Sequence, residues 1–300
     1  MDNNIEQNIN DSSEDKSSVE EIQTVIETKD DIIEMTKGGE NQKYFFTEIM
    51  STAGPRKNFN EDANEGDYGL GEDVAGCFTR KGKTYFWLLD GTSDNPIVKT
   101  EDGNEIFSSR ILAQEVAWHI QKILWTDNND VSSRDILKLS VQDIQKNWSD
   151  KFKELSENDK QILRGILKDK NQMLVSTTVI FGIIDLKGNL DVSIIGDSNI
   201  VTSPSNEFKE NTGRLFIIAS NDSIEIASNP FEDMRCLHYK YENINSLIVA
   251  SDGISKNTIK WLNNIPFDFR EEGIRKTVLA IKHKTCDDKA MCIIQICQDD

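Results

Sequence analysis

Two apolar runs that stop on an aspartate constrain this chain more than any other feature. Tyr85-Phe86-Trp87-Leu88-Leu89 leads into Asp90-Gly91, and Leu247-Ile248-Val249-Ala250-Ser251 leads into Asp252-Gly253. Short apolar runs bounded by turn residues read as buried strands. A carboxylate at the end of a buried strand is costly unless something pairs with it. Glycine directly after it lets the chain turn and leaves a carbonyl accessible. Two further acidic pairs share this context: Glu61-Asp62 in a loop before a strand, and Asp287-Asp288 ahead of the apolar run Met291 to Cys297. Carboxylates plus a carbonyl form a hard oxygen-ligand set, which suits Mg²⁺ or Mn²⁺ and not zinc.

The remaining pattern is strands, two helices, strands, a helix and a strand. Tyr44 to Met50 reads as a strand, and Val74 to Phe78 with Thr84 to Leu89 as a hairpin turning at Arg80-Lys81-Gly82-Lys83. Gly82-Lys83-Thr84 is no nucleotide loop, since the glycine that motif needs at position 77 is Cys77. Residues 105–125 and 131–155 carry apolar stripes at helical spacing. Trp118, Trp125 and Trp148 fall at helical positions and are expected in the core. Leu174 to Ile184 and Leu190 to Val201 read as strands flanking a turn at 185–189, followed by short apolar runs at Leu215 to Ala219 and Ser246 to Ala250. A last helix is expected over 269–283. This order predicts antiparallel sheet with helices on its faces, not alternating βαβ units.

Residues 1–42 stand apart. They carry twelve acidic residues against Lys16, Lys29 and Lys37, a net of −9, and no aromatic residue. Such a segment buries too little apolar surface to offset its ordering entropy, although Val19, Ile22, Ile26 and Ile33 allow a short helix over 18–36. The expected division is an acidic disordered tail over 1–42 and one catalytic domain over 43–300. The tail is a candidate docking or autoinhibitory segment. The formal net charge of −18 argues against nucleic-acid backbones and anionic membranes as partners. No apolar run approaches the ~18 residues of a spanning helix, and the opening residues lack the basic and apolar regions of a secretory signal. Cys77, Cys236, Cys286, Cys292 and Cys297 show no paired CxxC units, which fits reduced, buried thiols in a cytoplasmic protein.

Six short boxes, taken in order, resemble those of the metal-dependent type 2C serine/threonine protein phosphatases. They are Asn60-Glu61-Asp62-Ala63, Leu89-Asp90-Gly91, Ser176-Thr177-Thr178, Ile195-Gly196-Asp197-Ser198, Ala250-Ser251-Asp252-Gly253-Ile254 and Cys286-Asp287-Asp288. The resemblance spans Tyr44 to Ile296. It implies a four-layer α-β-β-α sandwich, an α+β fold of two packed antiparallel sheets flanked by helices. It also implies two Mn²⁺ or Mg²⁺ ions per domain. By that resemblance Glu61, Asp62, Asp90, the Gly91 carbonyl, Asp252 and Asp287 hold the metals, with Asp62, Asp90, Asp252 and Asp287 forming the catalytic set. Water activated between the two cations then hydrolyses phosphoserine and phosphothreonine esters on a phosphoprotein substrate, the chemistry of a cytoplasmic signalling phosphatase. Arg56 and Lys57 precede the first box, where the family places an arginine on the substrate phosphate; lysine lacks the planar fork of arginine.

Other positions depart from the family pattern. Val175 replaces a glycine, Asn199 stands where arginine is frequent, and Thr92 stands where some relatives carry histidine. Gln172 occupies the place of a third-metal aspartate, and the nearby Asp169 is off register. These departures define the alternative: a catalytically weak or silent module on the same fold that binds phosphoproteins or partners. His119, His238 and His283 read as structural or surface residues, and Ser176, Thr177 and Thr178 as strand packing residues.

Overall fold

The computed structural model describes residues 42–52, 71–92, 98–99, 103, 105–126, 131–169, 173–209, 211–219, 224–226, 230–232, 235–265 and 288–298. The acidic tail up to residue 41, the helix expected over 269–283, and Arg56, Lys57, Glu61, Asp62, Gln172, His283, Cys286 and Asp287 lie outside the described residues.

Alternation along the strands builds the layers. In β3 (Lys83–Gly91), Tyr85, Trp87 and Leu89 join one apolar cluster, while Phe86 and Leu88 join another. Successive side chains of a strand point to opposite faces, so an uninterrupted apolar run means both faces are covered. The same holds in β12 (Ser246–Ala250), where Leu247 and Val249 face one way and Ile248 and Ala250 the other. It holds again in β13 (Lys289–Gln298), where Cys292 and Ile294 oppose Met291 and Ile293.

Among the described residues two main sheets stack. The first has four strands in the order β1 (Lys43–Thr52), β13, β12, β8 (Asn199–Ser203). The second has seven, with β10 (Ile224–Ile226), β9 (Leu215–Ala219), β6 (Met173–Asp185), β3 and β2 (Val74–Arg80) in line. β7 (Leu190–Ile195) pairs β6 beyond the reach of β9, and β11 (Leu237–Tyr241) pairs β7. A ribbon of β4 (Val98–Lys99) and β5 (Glu105–Phe107) stands aside. The pairings within and between these strands are antiparallel.

α1 (Ser109–Trp125) and α2 (Ser133–Glu154) cover the outer face of the seven-stranded sheet, joined by Leu163 of α3 (Glu157–Asp169). α4 (Lys256–Asn263) covers the outer face of the other through Ile259 and Leu262. The inter-sheet cluster of Phe86, Leu88, Ile180, Val192, Leu247, Val249, Cys292 and Ile294 fills the middle. The expected α-β-β-α sandwich is therefore present.

Several local expectations are corrected. The first helix starts at Ser109, not 105, because the Ser108 hydroxyl accepts the Ile111 N–H at 3.1 Å and caps it; residues 105–107 form a strand instead. The run 190–201 is two strands in different sheets. Gly196, at φ +113°, ends β7 in a conformation that favours glycine, and β8 crosses to the four-stranded sheet. α3 and α4 were not anticipated; both are short and polar, and are started by Ser156 and Ser255, whose hydroxyls accept the Asp159 and Thr258 N–H groups. Trp118 and Trp125 are 54% and 69% exposed, whereas Trp148 is fully buried. Cys236 and Cys292 are buried as expected, but Cys77 and Cys297 are only half-buried.

Candidate active site

The strand ends carrying the acidic boxes meet at one end of the sandwich. Asp90 follows the parity of Phe86 and Leu88, and Asp288 that of Ala290 and Cys292, so both lie at inter-sheet positions. Asp288 is buried and accepts the Glu72 backbone N–H at 2.6 Å. Three glycines measure how closely the backbones approach. A Cβ added to Gly253 would stand 2.0 Å from the Asp288 carbonyl oxygen, one on Gly71 2.5 Å from the Asp288 Cγ, and one on Gly91 2.8 Å from the Glu72 Cβ. Gly91, Glu72, Asp288 and Gly253 thus form a continuous chain of contacts between the two sheets. Asp90 and Asp252 precede the two end members of that chain.

Hydrogen bonds hold these ends. Ser251, directly after β12, bonds twice to Ala290 of β13: the Ala290 N–H donates to the Ser251 Oγ at 2.9 Å and the Ser251 N–H to the Ala290 carbonyl at 3.0 Å. The Thr177 hydroxyl donates toward the Asp90 carbonyl at 3.0 Å, shared with the Thr178 carbonyl. The Asn199 side-chain amide donates to the Ile254 carbonyl at 3.2 Å, directly after Gly253. Val175 is fully buried in the cluster beneath α1 and α2. Asn199 and Val175, the two departures within the described strands, therefore do structural work where they stand.

Of the expected metal ligands, Asp90, Gly91 and Asp252 are described. Asp90 is half-buried, Gly91 buried and Asp252 exposed. Among the described residues no group of three or more His, Cys, Asp or Glu side chains gathers closely enough to hold a metal. The donors that are described are hard oxygens, the type that fits Mg²⁺ or Mn²⁺. His119 and His238 are structural, as expected. The Asn147 side-chain amide donates to His119 Nε2 at 3.0 Å, and burial lowers the His119 pKa. His238 pairs with Asp191.

Two features escaped the sequence reading. Asp288 was grouped with Asp287 as an acidic pair, yet its carboxylate braces Glu72; strand parity from β13 would have separated the two. Arg214 had no sequence signal. Its Nη1 donates to the Thr92 hydroxyl, two residues past Asp90, and Thr92 Oγ1 lies 2.7 Å from Ser176 Oγ. The pairing of β9 with β6 carries Arg214 there.

A family model for protein phosphatase 2C matches residues 70–278. No curated protein sequence matches the chain. Solved structures do. The serine/threonine phosphatase Stp1 from Staphylococcus aureus aligns with a TM-score of 0.53 at 12% identity, covering 87% of this chain and 98% of that one. RsbX in complex with magnesium aligns at 0.51 with 8% identity, over 86% and 100%. The photosystem II phosphatase PBCP aligns at 0.50 with 11% identity, over 84% and 98%. At such identities the likeness is one of fold.

Proposed function

This chain belongs to the protein phosphatase 2C family, and from that premise we propose that it hydrolyses phosphoserine and phosphothreonine esters on proteins with two Mn²⁺ or Mg²⁺ ions. The observation that carries the reading is the approach of Asp90-Gly91 and Asp252-Gly253 through the Glu72–Asp288 contact. Asp90, the Gly91 carbonyl, Asp252, Glu61, Asp62 and Asp287 would hold the cations. Bound there, the cations supply Lewis-acid activation of the attacking water and neutralise charge on the phosphoryl oxygens.

The chain's own residues position and bind. Phosphoryl transfer asks little covalent help of a protein, since placement and charge supply most of the rate. Thr177 fixes the carbonyl of Asp90, and Asn199 fixes the turn that carries Asp252. Arg56 and Lys57 are assigned to the substrate phosphate. Thr92 has no basic nitrogen, so it does not serve as a histidine would in protonating the leaving alkoxide. Among the described residues no helix is long and apolar enough to cross a membrane.

The full chain with Mn²⁺ should cleave a phosphothreonine peptide and p-nitrophenyl phosphate, and chelator should abolish both. Asp90→Asn should lower turnover by roughly 100-fold or more, the scale of losing one preorganised electrostatic group. Folded protein with no turnover under any divalent cation would overturn the reading. Phosphopeptide binding without turnover would establish the silent binding module instead.

A further inference from the structure

We propose that Arg214 binds the substrate phosphate directly, as a cationic contact beside the central acidic box; the proposal rests on the phosphatase reading of the site. Arg214 lies directly before β9, and its Nη1 donates to Thr92 Oγ1. Thr92 is fastened to β6 twice, by its N–H to the Ser176 carbonyl at 3.2 Å and by its hydroxyl to Ser176 Oγ at 2.7 Å. Asp90 and Gly91 lie opposite Thr178 and Thr177 in the same β3–β6 ladder. The guanidinium is therefore anchored to the strand end that carries the central acidic box.

Among the described residues its bonding is partial. A guanidinium has five N–H donors in a rigid fork. Among the described residues Arg214 uses one, on a neutral hydroxyl, and forms no ion pair. A structural arginine at a partly exposed position is ordinarily satisfied by a carboxylate or by several carbonyls. The non-bridging oxygens of a phosphate monoester match the planar fork and the charge of the guanidinium. Thr92 serves as the positioning residue that aims the fork.

The test compares wild type, Arg214→Ala and Arg214→Lys as full chains with Mn²⁺. Inorganic phosphate affinity is measured by calorimetry, and kcat and KM on a phosphothreonine peptide. Mn²⁺ affinity and thermal midpoint serve as controls. Arg214→Ala should weaken phosphate binding by about 10- to 100-fold, the scale of a lost charged hydrogen bond. KM should rise by a similar factor, while Mn²⁺ affinity and the midpoint stay unchanged. Lysine should restore part of the loss. Unchanged phosphate affinity in folded Arg214→Ala would overturn the proposal, even where wild type turns over normally. Arg214-dependent phosphate binding without turnover would uphold it while the phosphatase reading failed. Wild type that neither binds phosphate nor turns over would overturn both.

Discussion

Asp191 on β7 shows how single residues set the stability of this molecule. Its carboxylate accepts the Ser133 N–H at 3.1 Å and the Ser133 hydroxyl, and pairs with His238 Nε2 at 2.9 Å and Lys240 at 3.5 Å. It thereby ties the start of α2 to β7 and β11. Burial pushes its pKa up, but the bonds from Ser133 and His238 outweigh that and hold it below the ordinary 3.8. A folded pKa below the unfolded one contributes stability that is fully present above the ordinary value. That contribution disappears as pH falls through the lowered folded value. Asp191→Asn should therefore cost about 1.5–3 kcal/mol in urea unfolding at neutral pH. The gap between variant and wild type should close as the pH drops below about 4. A gap that persisted unchanged at low pH would contradict the assignment. Burial likewise pushes the Cys236 thiol up to about 11, which marks it as a packing residue and not a reactive one.

At the scale of elements, the helices and strands differ in how much their residues reveal. The strand periods were legible because both faces of β3, β12 and β13 are covered, so apolar runs coincide with strands. The start of α1, and α3 and α4 altogether, were not, since they depend on which serine wins the cap, whereas α2 falls within the expected 131–155: Ser108, Ser132, Ser156 and Ser255 each take an amide three residues on. Composition also misplaced two tryptophans. The buried stripe of α1 runs through Leu112, Val116 and Ile120, and Trp118 and Trp125, seven apart, lie on the other face. Trp148 on α2 is buried against Phe107, and its Nε1 donates to Glu115 at 2.5 Å. Trp148→Ala should cost about 3–5 kcal/mol. Trp118→Ala should change stability by no more than about 0.5 kcal/mol. Equal costs for the two would show that α1 and α2 are packed otherwise. The split of 190–201 was hidden because β7 and β8 are both apolar, and only Gly196 marks where the chain leaves one sheet for the other.

On the scale of the whole molecule, the sandwich brings the ends of β3, β12 and β13 to one edge. Asp90 closes β3 and Asp252 follows β12, strands in different sheets that approach through Glu72 and Asp288. Sequence reading could nominate these aspartates because each ends a buried run. It could not find Arg214, whose place depends on β9 pairing with β6 and whose hydrogen bond to Thr92 spans 122 positions. Nor could it tell that Asp288 braces the site, since adjacent aspartates look alike until strand parity is fixed. The central claim is that the strand-end carboxylates share a pair of cations. Anomalous diffraction from Mn²⁺-soaked crystals addresses it most directly. Two manganese peaks should lie between the sheets, flanked by the carboxylates of Asp90 and Asp252, and both should weaken or vanish in Asp90→Asn. Manganese bound elsewhere, or peaks untouched by that substitution, would contradict the account.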